Sequence, residues 1–384
     1  MANGVRSRFR LSRLAYAELS AGHRIYKQYI CSAFEVALCI LKTYRRQLRR
    51  EQGKRSPYLS RPMLKAENQS YQLDRQSGRL RIPIRAGEHV DISLPVSRWH
   101  AGFLKDPSWY LGSITIVPGK ILIAVRRNAP VPLPSRSVIS MDTNEDSLDG
   151  VFLDGDIGAL VRLPLGGVRQ VQSTHFRRRR RLARKKDGDS RIRRILLARD
   201  GRRERNRVRQ RLHVATKKLV TTAKANRATI VLENLTLRGA GGRSRRMNRR
   251  LCSWPRREIH RQIEYKALEN GISVMKVDPR NTSKTCPACG AIRRDRVGKV
   301  FTCTCGWRMD RQLNAGLNIL KTALASNGAL ARAVRFQPGA LRDDAVIPLW
   351  DLPGLLAGTR EEPSGVDPRG PPVRMGLSRR THKA

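Results

Sequence analysis

The sequence predicts an α/β multidomain protein: a helical region and a small β-barrel lead into an α/β core that carries an inserted zinc ribbon. Three observations predict this. Two buried-looking hydrophobic runs, SVISMDTN from Ser137 and ATIVLENL from Ala228, each close on a carboxylate and are separated by a long helical stretch. Four cysteines cluster between 286 and 305. From about 71 to 128 the pattern changes to short alternating or β-branched runs broken by Gly and Pro, the mark of short strands and turns.

Taken in order, residues 11–50 show apolar positions recurring at three and four, with a basic end, and so read as helix. RLRIPI, HVDISLPV, GSITIV and ILIAVRR follow as strands, with ITIV-PGK-ILIAV as a hairpin. This layout resembles a barrel more than a sheet with crossovers. PVPLPS (130–135) reads as a linker. Beyond SVISMDTN, VFLDG and ALVRLPL read as the next two strands of a meander, and 174–224 as Arg-rich helix. RGAGGRSRRMNRR reads as a flexible basic loop. PRREIHRQIEYKALENG (255–271) is an amphipathic helix closing on Gly271, and ISVMKVDP is a strand. DRQLNAGLNILKTALA (310–325) is a last helix. From about 327 the chain turns Pro-, Gly- and Arg-rich without period, which predicts a mostly disordered tail.

Among 384 residues, 78 are Lys or Arg and 31 are Asp or Glu, a net charge of +47. Such a charge repels itself and calls for a polyanion, for which nucleic acid is the usual partner. The Arg-rich run is too long and too one-signed for an ordinary solvated helix face. No apolar run of ~18 residues exists to span a bilayer, and the N-terminal MANGVRSRFRLSR lacks the apolar stretch of a signal peptide. A membrane partner is therefore not expected, and a cytoplasmic location is. No phosphate-binding Gly-rich loop, dinucleotide fingerprint or HExxH helix is present.

Two constellations carry chemistry. Asp142 and Glu233 end hydrophobic strands, and Asp310 opens a helix. An α/β sheet gathers strand ends at one edge, and converging carboxylates suit Mg²⁺ or Mn²⁺, hard ions that want oxygen ligands. A lone strand-end Asp is far more often a surface or capping residue, and for Asp310 the capping role is the direct competitor. The second set is Cys286-Pro-Ala-Cys289-Gly and Cys303-Thr-Cys305-Gly. Four thiolates suit tetrahedral Zn²⁺, although the second pair is one residue shorter than the usual spacing. Cys31, Cys39 and Cys252 read as small core hydrophobes.

In order and spacing these motifs resemble the TnpB (OrfB) proteins of insertion sequences, relatives of type V CRISPR effectors. SMDTNEDS resembles the family's first RuvC motif and IVLENL the second. SWPRREIHRQIEYKALENGISVMKVDPRNTSKTCPACG and FTCTCGWRMDRQLNAGLNIL continue the likeness through the ribbon into the third. The likeness is dense over 137–325, rests only on layout before 130, and says nothing after 327.

The resemblance implies an RNase H-like RuvC core over 137–282 with an Arg-rich helical insertion. A zinc ribbon would follow at 283–309 and a final RuvC helix at 310–326, with a recognition and wedge region over 1–136. It also implies an RNA-guided DNA endonuclease, a monomer with its guide RNA. That RNA would come from the transposon end, and the protein would cut double-stranded DNA beside a short flanking motif. The metal ligands implied are Asp142, Glu233 and Asp310.

The sequence departs from the family at one place. Many relatives read Asp-Arg-Asp-x-Asn-Ala, where this chain has Asp310-Arg311-Gln312-Leu313-Asn314-Ala315. Three other readings compete: a nuclease-inactive RNA-guided repressor, a DNA transposase, and a plain RNA-binding basic protein with a zinc ribbon. The last explains the charge and the cysteines but not the strands that end in carboxylates.

Overall fold

The computed structural model describes residues 5–49, 56–59, 61–235, 244–293, 298–341 and 346–352, which fall into two units, Met1–Asn128 and Ala129–Ala384. In the first unit, Ser7 caps helix α1 (Arg8–Gly22) by accepting a hydrogen bond from the Arg10 backbone N–H. Helix α2 (Gln28–Leu48) buries Tyr29, Ile30 and Phe34. The strands are β1 (Leu64–Ala66), β2 (Gln72–Leu73), β3 (Arg79–Arg85), β4 (Glu88–Ser93), β5 (Tyr110–Val117) and β6 (Lys120–Arg126), with helix α3 (Arg98–Leu104) between β4 and β5. They form two antiparallel sheets, β1-β5-β6 and β2-β3-β4. Tyr29, Ala66, Leu80, Ile82 and Ile114 make one core from both. The expected barrel is thus two separate ladders around a shared core. Register breaks at Pro83/Arg85 and Leu111/Ile114 interrupt the ladders, the first at a proline that has no N–H to donate. The anticipated hairpin is β5–β6, turning at Gly119 with φ +75°.

The second unit begins before the expected boundary at 136. Leu133 donates to the Gly271 carbonyl (2.8 Å) and Arg136 to that of Arg227 (3.0 Å), so the proline-rich stretch is laid along this unit. Its centre is a six-stranded sheet of order β11-β10-β7-β8-β9-β14. Strands β7 (Ser137–Thr143), β8 (Ser147–Asp154) and β9 (Ile157–Pro164) form the antiparallel meander. The chain then crosses through α4 (Val168–Ala183), a short π-helical turn (Ile192–Leu196) and α5 (Leu197–Ala225), and returns as β10 (Ala228–Glu233), parallel to β7. Helices α6 (Arg245–Ser253) and α7 (Arg256–Glu269) lead to β11 (Val274–Val277), parallel to β10. Helices α5 and α7 cover one face with Val208, Leu212, Leu219, Ile259 and Ile263. On the other face a helix over 311–326 packs Leu313, Leu317 and Leu320 against Val138, Val151 and Val231.

Two expectations are corrected here. Of the anticipated basic loop, 238–243 lie outside the described residues, but Arg245–Ser253 is helical. Ser244 caps that helix by accepting from Met247 N (3.3 Å), and Arg250 is anchored on Glu145 (2.8 Å). The tail expected to be disordered is folded as far as 352, apart from 342–345, which are not described. Helix α9 (Gly328–Ala333) is capped by Asn327, and a last strand, β14 (Val346–Pro348), pairs in parallel with β9. Leu330, Val334, Leu341, Leu349 and Leu352 are buried. This segment covers the β9 edge, whose open ladder would otherwise invite pairing with another chain. Residues 353–384 lie outside the described residues.

Candidate active site and cysteine cluster

Alternation along β7 turns Val138, Ser140 and Asp142 to one face and Ile139, Met141 and Thr143 to the other. Helix α8 (Arg311–Ser326) lies on the first face, where the Ser140 hydroxyl donates to the Gly316 carbonyl at 2.9 Å. Two glycines permit the approach. A Cβ on Gly316 would fall 2.6 Å from the Gly150 Cα, and one on Gly150 would fall 1.8 Å from the Ser140 carbonyl oxygen. On the opposite face, Thr143 is hydrogen-bonded to His260 of α7 (3.0 Å). Burial pushes that imidazole down to about 4, so it is neutral.

The α8 side of the sheet ends in a row of four ionisable side chains on adjacent strands. Leu232 of β10 is in register with Met141 of β7, so Glu233 and Asp142 follow side by side. Asp142 is paired with Asp149 of β8, and Asp149 with Arg162 of β9. Burial, first, and the neighbouring charge of Glu233, second, push the Asp142 carboxyl up to about 8, with Asp149 adding to the rise. Burial also raises Glu233, against a hydrogen bond from the Thr282 hydroxyl that favours its ionised form. Two crowded carboxylates of this kind suit a single shared cation.

Asp142 and Glu233 end adjacent strands of the sheet, and Asp310 lies at the start of the helix packed on that face. Asp310 stands at the N-cap of α8, where its Oδ1 accepts from the Gln312 backbone N–H at 2.8 Å. Among the described residues no group of three carboxylates gathers its oxygens tightly enough for one ion; the one such ligand group is the four cysteines. Because the helix starts at Arg311, Gln312 lies inside it, one turn before Gly316 and hence on the same helix face. The neutral Gln312 side chain therefore follows the face on which Gly316 meets the sheet.

The cysteine cluster is compact. Cys286 and Cys305 sulfurs are 3.6 Å apart, as are those of Cys289 and Cys303, and all four lie within 4.8 Å of one another. Tetrahedral Zn²⁺ with ~2.3 Å bonds places sulfurs ~3.8 Å apart, so the cluster is consistent with zinc despite the short second spacing. Gly290 (φ +78°) and Gly306 (φ +86°) turn the chain after each pair. Backbone N–H donation from Cys305 leads the causes that push Cys303 down to about 6, toward the thiolate a metal requires. Around the thiols run strands β12 (Val300–Thr302) and β13 (Arg308–Asp310).

Side chains that sequence reasoning passed over tie the cluster to the carboxylates. Asn318 donates to the carbonyls of Thr282 (2.8 Å) and Thr285 (2.7 Å), and Asn314 donates to Thr285 (3.0 Å) and accepts from Trp307 (3.2 Å). Thr282 in turn holds Glu233. Asparagines four apart on an otherwise apolar helix face were the signal in the sequence. Asp149, Asn144 and His260 gave none, since their neighbours come from other strands and helices. The arginines of α4 form an exposed patch with Arg177, Arg180, Arg181 and Arg184 around one groove, while Val168, Val171 and His175 turn inward. No described helix is long and apolar enough to cross a membrane.

Comparison with known proteins agrees with this layout. Residues 257–319 match the family model "Cas12f1-like, TNB domain". A TnpB-like protein of Methanocaldococcus jannaschii is 26% identical over 254 residues, 64% of this chain and 91% of that protein. The CRISPR-associated endodeoxyribonuclease Cas12f1 of Sulfoacidibacillus thermotolerans is 39% identical over 95 residues, 24% of this chain and 21% of its own. In fold, the chain resembles Cas12f1 in a cryo-EM complex with sgRNA and target DNA. That match has a TM-score of 0.52 at 16% identity, covering 83% of this chain and 76% of that one. The chain is thus similar to TnpB-like proteins and to Cas12f endodeoxyribonucleases, and its residues 257–319 match a Cas12f1-like TNB domain.

Proposed function

We propose that this protein is an RNA-guided DNA endonuclease of a transposable element, with an RNase H-like RuvC core that cuts target DNA beside a short flanking motif. The observation that carries this reading is the pair Asp142 and Glu233, set side by side on parallel strands with the Asp142 carboxyl pushed up to about 8. The sheet order β11-β10-β7-β8-β9, an antiparallel meander extended by two parallel strands, supports the RNase H-like assignment. Asp142 and Glu233 would hold Mg²⁺ or Mn²⁺, which supplies an activated water and stabilises the leaving oxygen of the phosphodiester. Thr282 orients Glu233, and the Ser140–Gly316 contact fixes the helix beside the site. The Arg177–Arg184 patch suits phosphate backbone, with guide RNA and the heteroduplex as the polyanion, and Zn²⁺ suits the ribbon cysteines.

A second reading has its own observation. Asp310 is engaged as a helix cap and Gln312 occupies the sheet-facing position, which favours a nuclease-inactive, RNA-guided DNA-binding repressor. One experiment separates the two: guided binding and guided cleavage by the unmodified protein, Asp142→Ala, Asp310→Ala and Gln312→Asp. The endonuclease reading expects the unmodified protein to cut and Asp142→Ala to bind without cutting. An inert unmodified protein whose Gln312→Asp variant cuts establishes the repressor. Cleavage that persists in excess EDTA refutes the metal mechanism.

A further inference from the structure

The carboxylate row contains a residue that fold stability alone would not keep. Asp149 is completely buried and directly opposite Asp142 across two antiparallel strands. Like charges in that relation destabilise a sheet, and a buried carboxylate is costly unless it is paired. Asp149 is paired, and both its oxygens are committed. Oδ1 accepts from Arg162 Nε. Oδ2 accepts from the Ser147 hydroxyl and from Asn144 Nδ2, the latter at 3.1 Å. With both oxygens already accepting hydrogen bonds from side chains, this carboxylate is placed to hold its neighbours.

One of these neighbours is Asn144. Its side-chain amide also stands close enough to Asp142, two residues before it, to favour that carboxyl's ionised form. Its backbone is pinned at both polar atoms: the N–H donates to the Ser147 carbonyl (2.9 Å), and the carbonyl accepts from Trp254 Nε1 (3.1 Å). A chain therefore runs across three strands and a turn, Arg162 to Asp149 to Asn144 to Asp142. Arg162 keeps 42% of its side chain exposed and balances the Asp149 charge, which would otherwise face Asp142 uncompensated.

We propose that Asp149 is a positioning residue of the carboxylate site, acting through the Asn144 amide to fix the orientation of Asp142, with Arg162 as its counter-ion. This rests on the reading of Asp142 as an ion ligand. Partners that orient metal-binding side chains typically alter metal affinity 10- to 100-fold, and binding is the quantity to measure.

Mn²⁺ binding to the full-length, metal-free protein, followed by titration calorimetry, provides the test. The variants are Asp142→Ala, Asn144→Ala, Asp149→Leu and the Asn144→Ala/Asp149→Leu double. The expected result is loss of the site in Asp142→Ala and a Kd weakened about 10-fold in each of the other single variants. Residues that act in series do not add, so the double variant is expected to be no weaker than the worse single. Full affinity in both single variants, or a double variant weakened by the product of the two, overturns the proposal. Normal Mn²⁺ binding by Asp142→Ala overturns the reading beneath it. Where Asp149→Leu does not fold, Asn144→Ala decides alone: it leaves the Arg162–Asp149 pair in place, and unchanged affinity in it refutes the proposal.

Discussion

Replacing Asp142 by Asn is expected to stabilise the metal-free protein at neutral and higher pH, although the same change removes its metal site. The carboxyl moves from an ordinary 3.8 in the unfolded chain to about 8 in the fold, through burial and the Glu233 charge. Between those values the folded state keeps a proton that the unfolded state has released. Linkage then makes stability fall as pH rises through the window, and the loss is complete above the folded value. At about 1.4 kcal/mol per unit the ceiling is about 6 kcal/mol. Water penetration and rearranging dipoles reduce this to about 2 kcal/mol. Asparagine keeps the shape and never ionises, so it escapes the penalty. For a unit of this size, about 2 kcal/mol corresponds to roughly 4–8 °C in Tm. The assay is thermal unfolding in EDTA at pH 5 and pH 8, for the unmodified protein and Asp142→Asn. The variant is expected to melt higher at pH 8 and closer to the unmodified protein at pH 5, and saturating Mn²⁺ is expected to reverse the order at pH 8. An equal Tm difference at both pH values would refute the crowded-carboxylate argument.

Four other outcomes follow from the geometry. Elemental analysis is expected to find about one zinc per chain. Cys286→Ser should increase hydrogen exchange in α8, because Asn314 and Asn318 anchor that helix to the segment entering the ribbon; protection that stays unchanged would break the link. Gly150→Ala forces a Cβ to within 1.8 Å of the Ser140 carbonyl oxygen and is expected to cost more than about 4 kcal/mol, the range of severe core changes; soluble, native-like protein would show that the strands can separate. Replacing Arg177, Arg180, Arg181 and Arg184 by Ala should flatten the salt dependence of RNA binding by about 0.7 in log–log slope for each phosphate no longer neutralised, and an unchanged slope would place the RNA elsewhere.

The core elements were legible because their signals are local. The runs at 137–143 and 228–233 carry β-branched and other apolar residues on both faces and are buried on both, as strands covered on both sides must be, and Gly271 closes its helix with a positive φ. The tail misled because composition reports on average burial. Leu330, Val334, Leu341, Leu349 and Leu352 are spread among glycines, prolines and arginines, yet each is buried in one of the two cores that flank the sheet, in places no local pattern announces. The barrel failed for a related reason: closure depends on which strands share a ladder, and register breaks at 83 and 111 are invisible in alternation alone.

The site divides along the same line. Asp142 and Glu233 are marked by their place at strand ends, and the ladder between β7 and β10 sets them side by side. The spacing favours Asp310 as a third ligand because it lies one turn before Asn314, and helical phase sets which side chains of the segment meet the sheet. Once α8 starts at Arg311, the position one turn before the glycine contact belongs to Gln312, and Asp310 finds its partner in the Gln312 backbone N–H. Phase is set by the Gly150–Gly316 contact, two residues 166 positions apart whose closeness only the fold reveals. That contact makes the Gln312→Asp experiment informative in both directions. A carboxylate placed there lies one helical turn before the glycine that meets the sheet beside Ser140. Any gain in cutting then measures what the neutral side chain withholds, without requiring the helix to move.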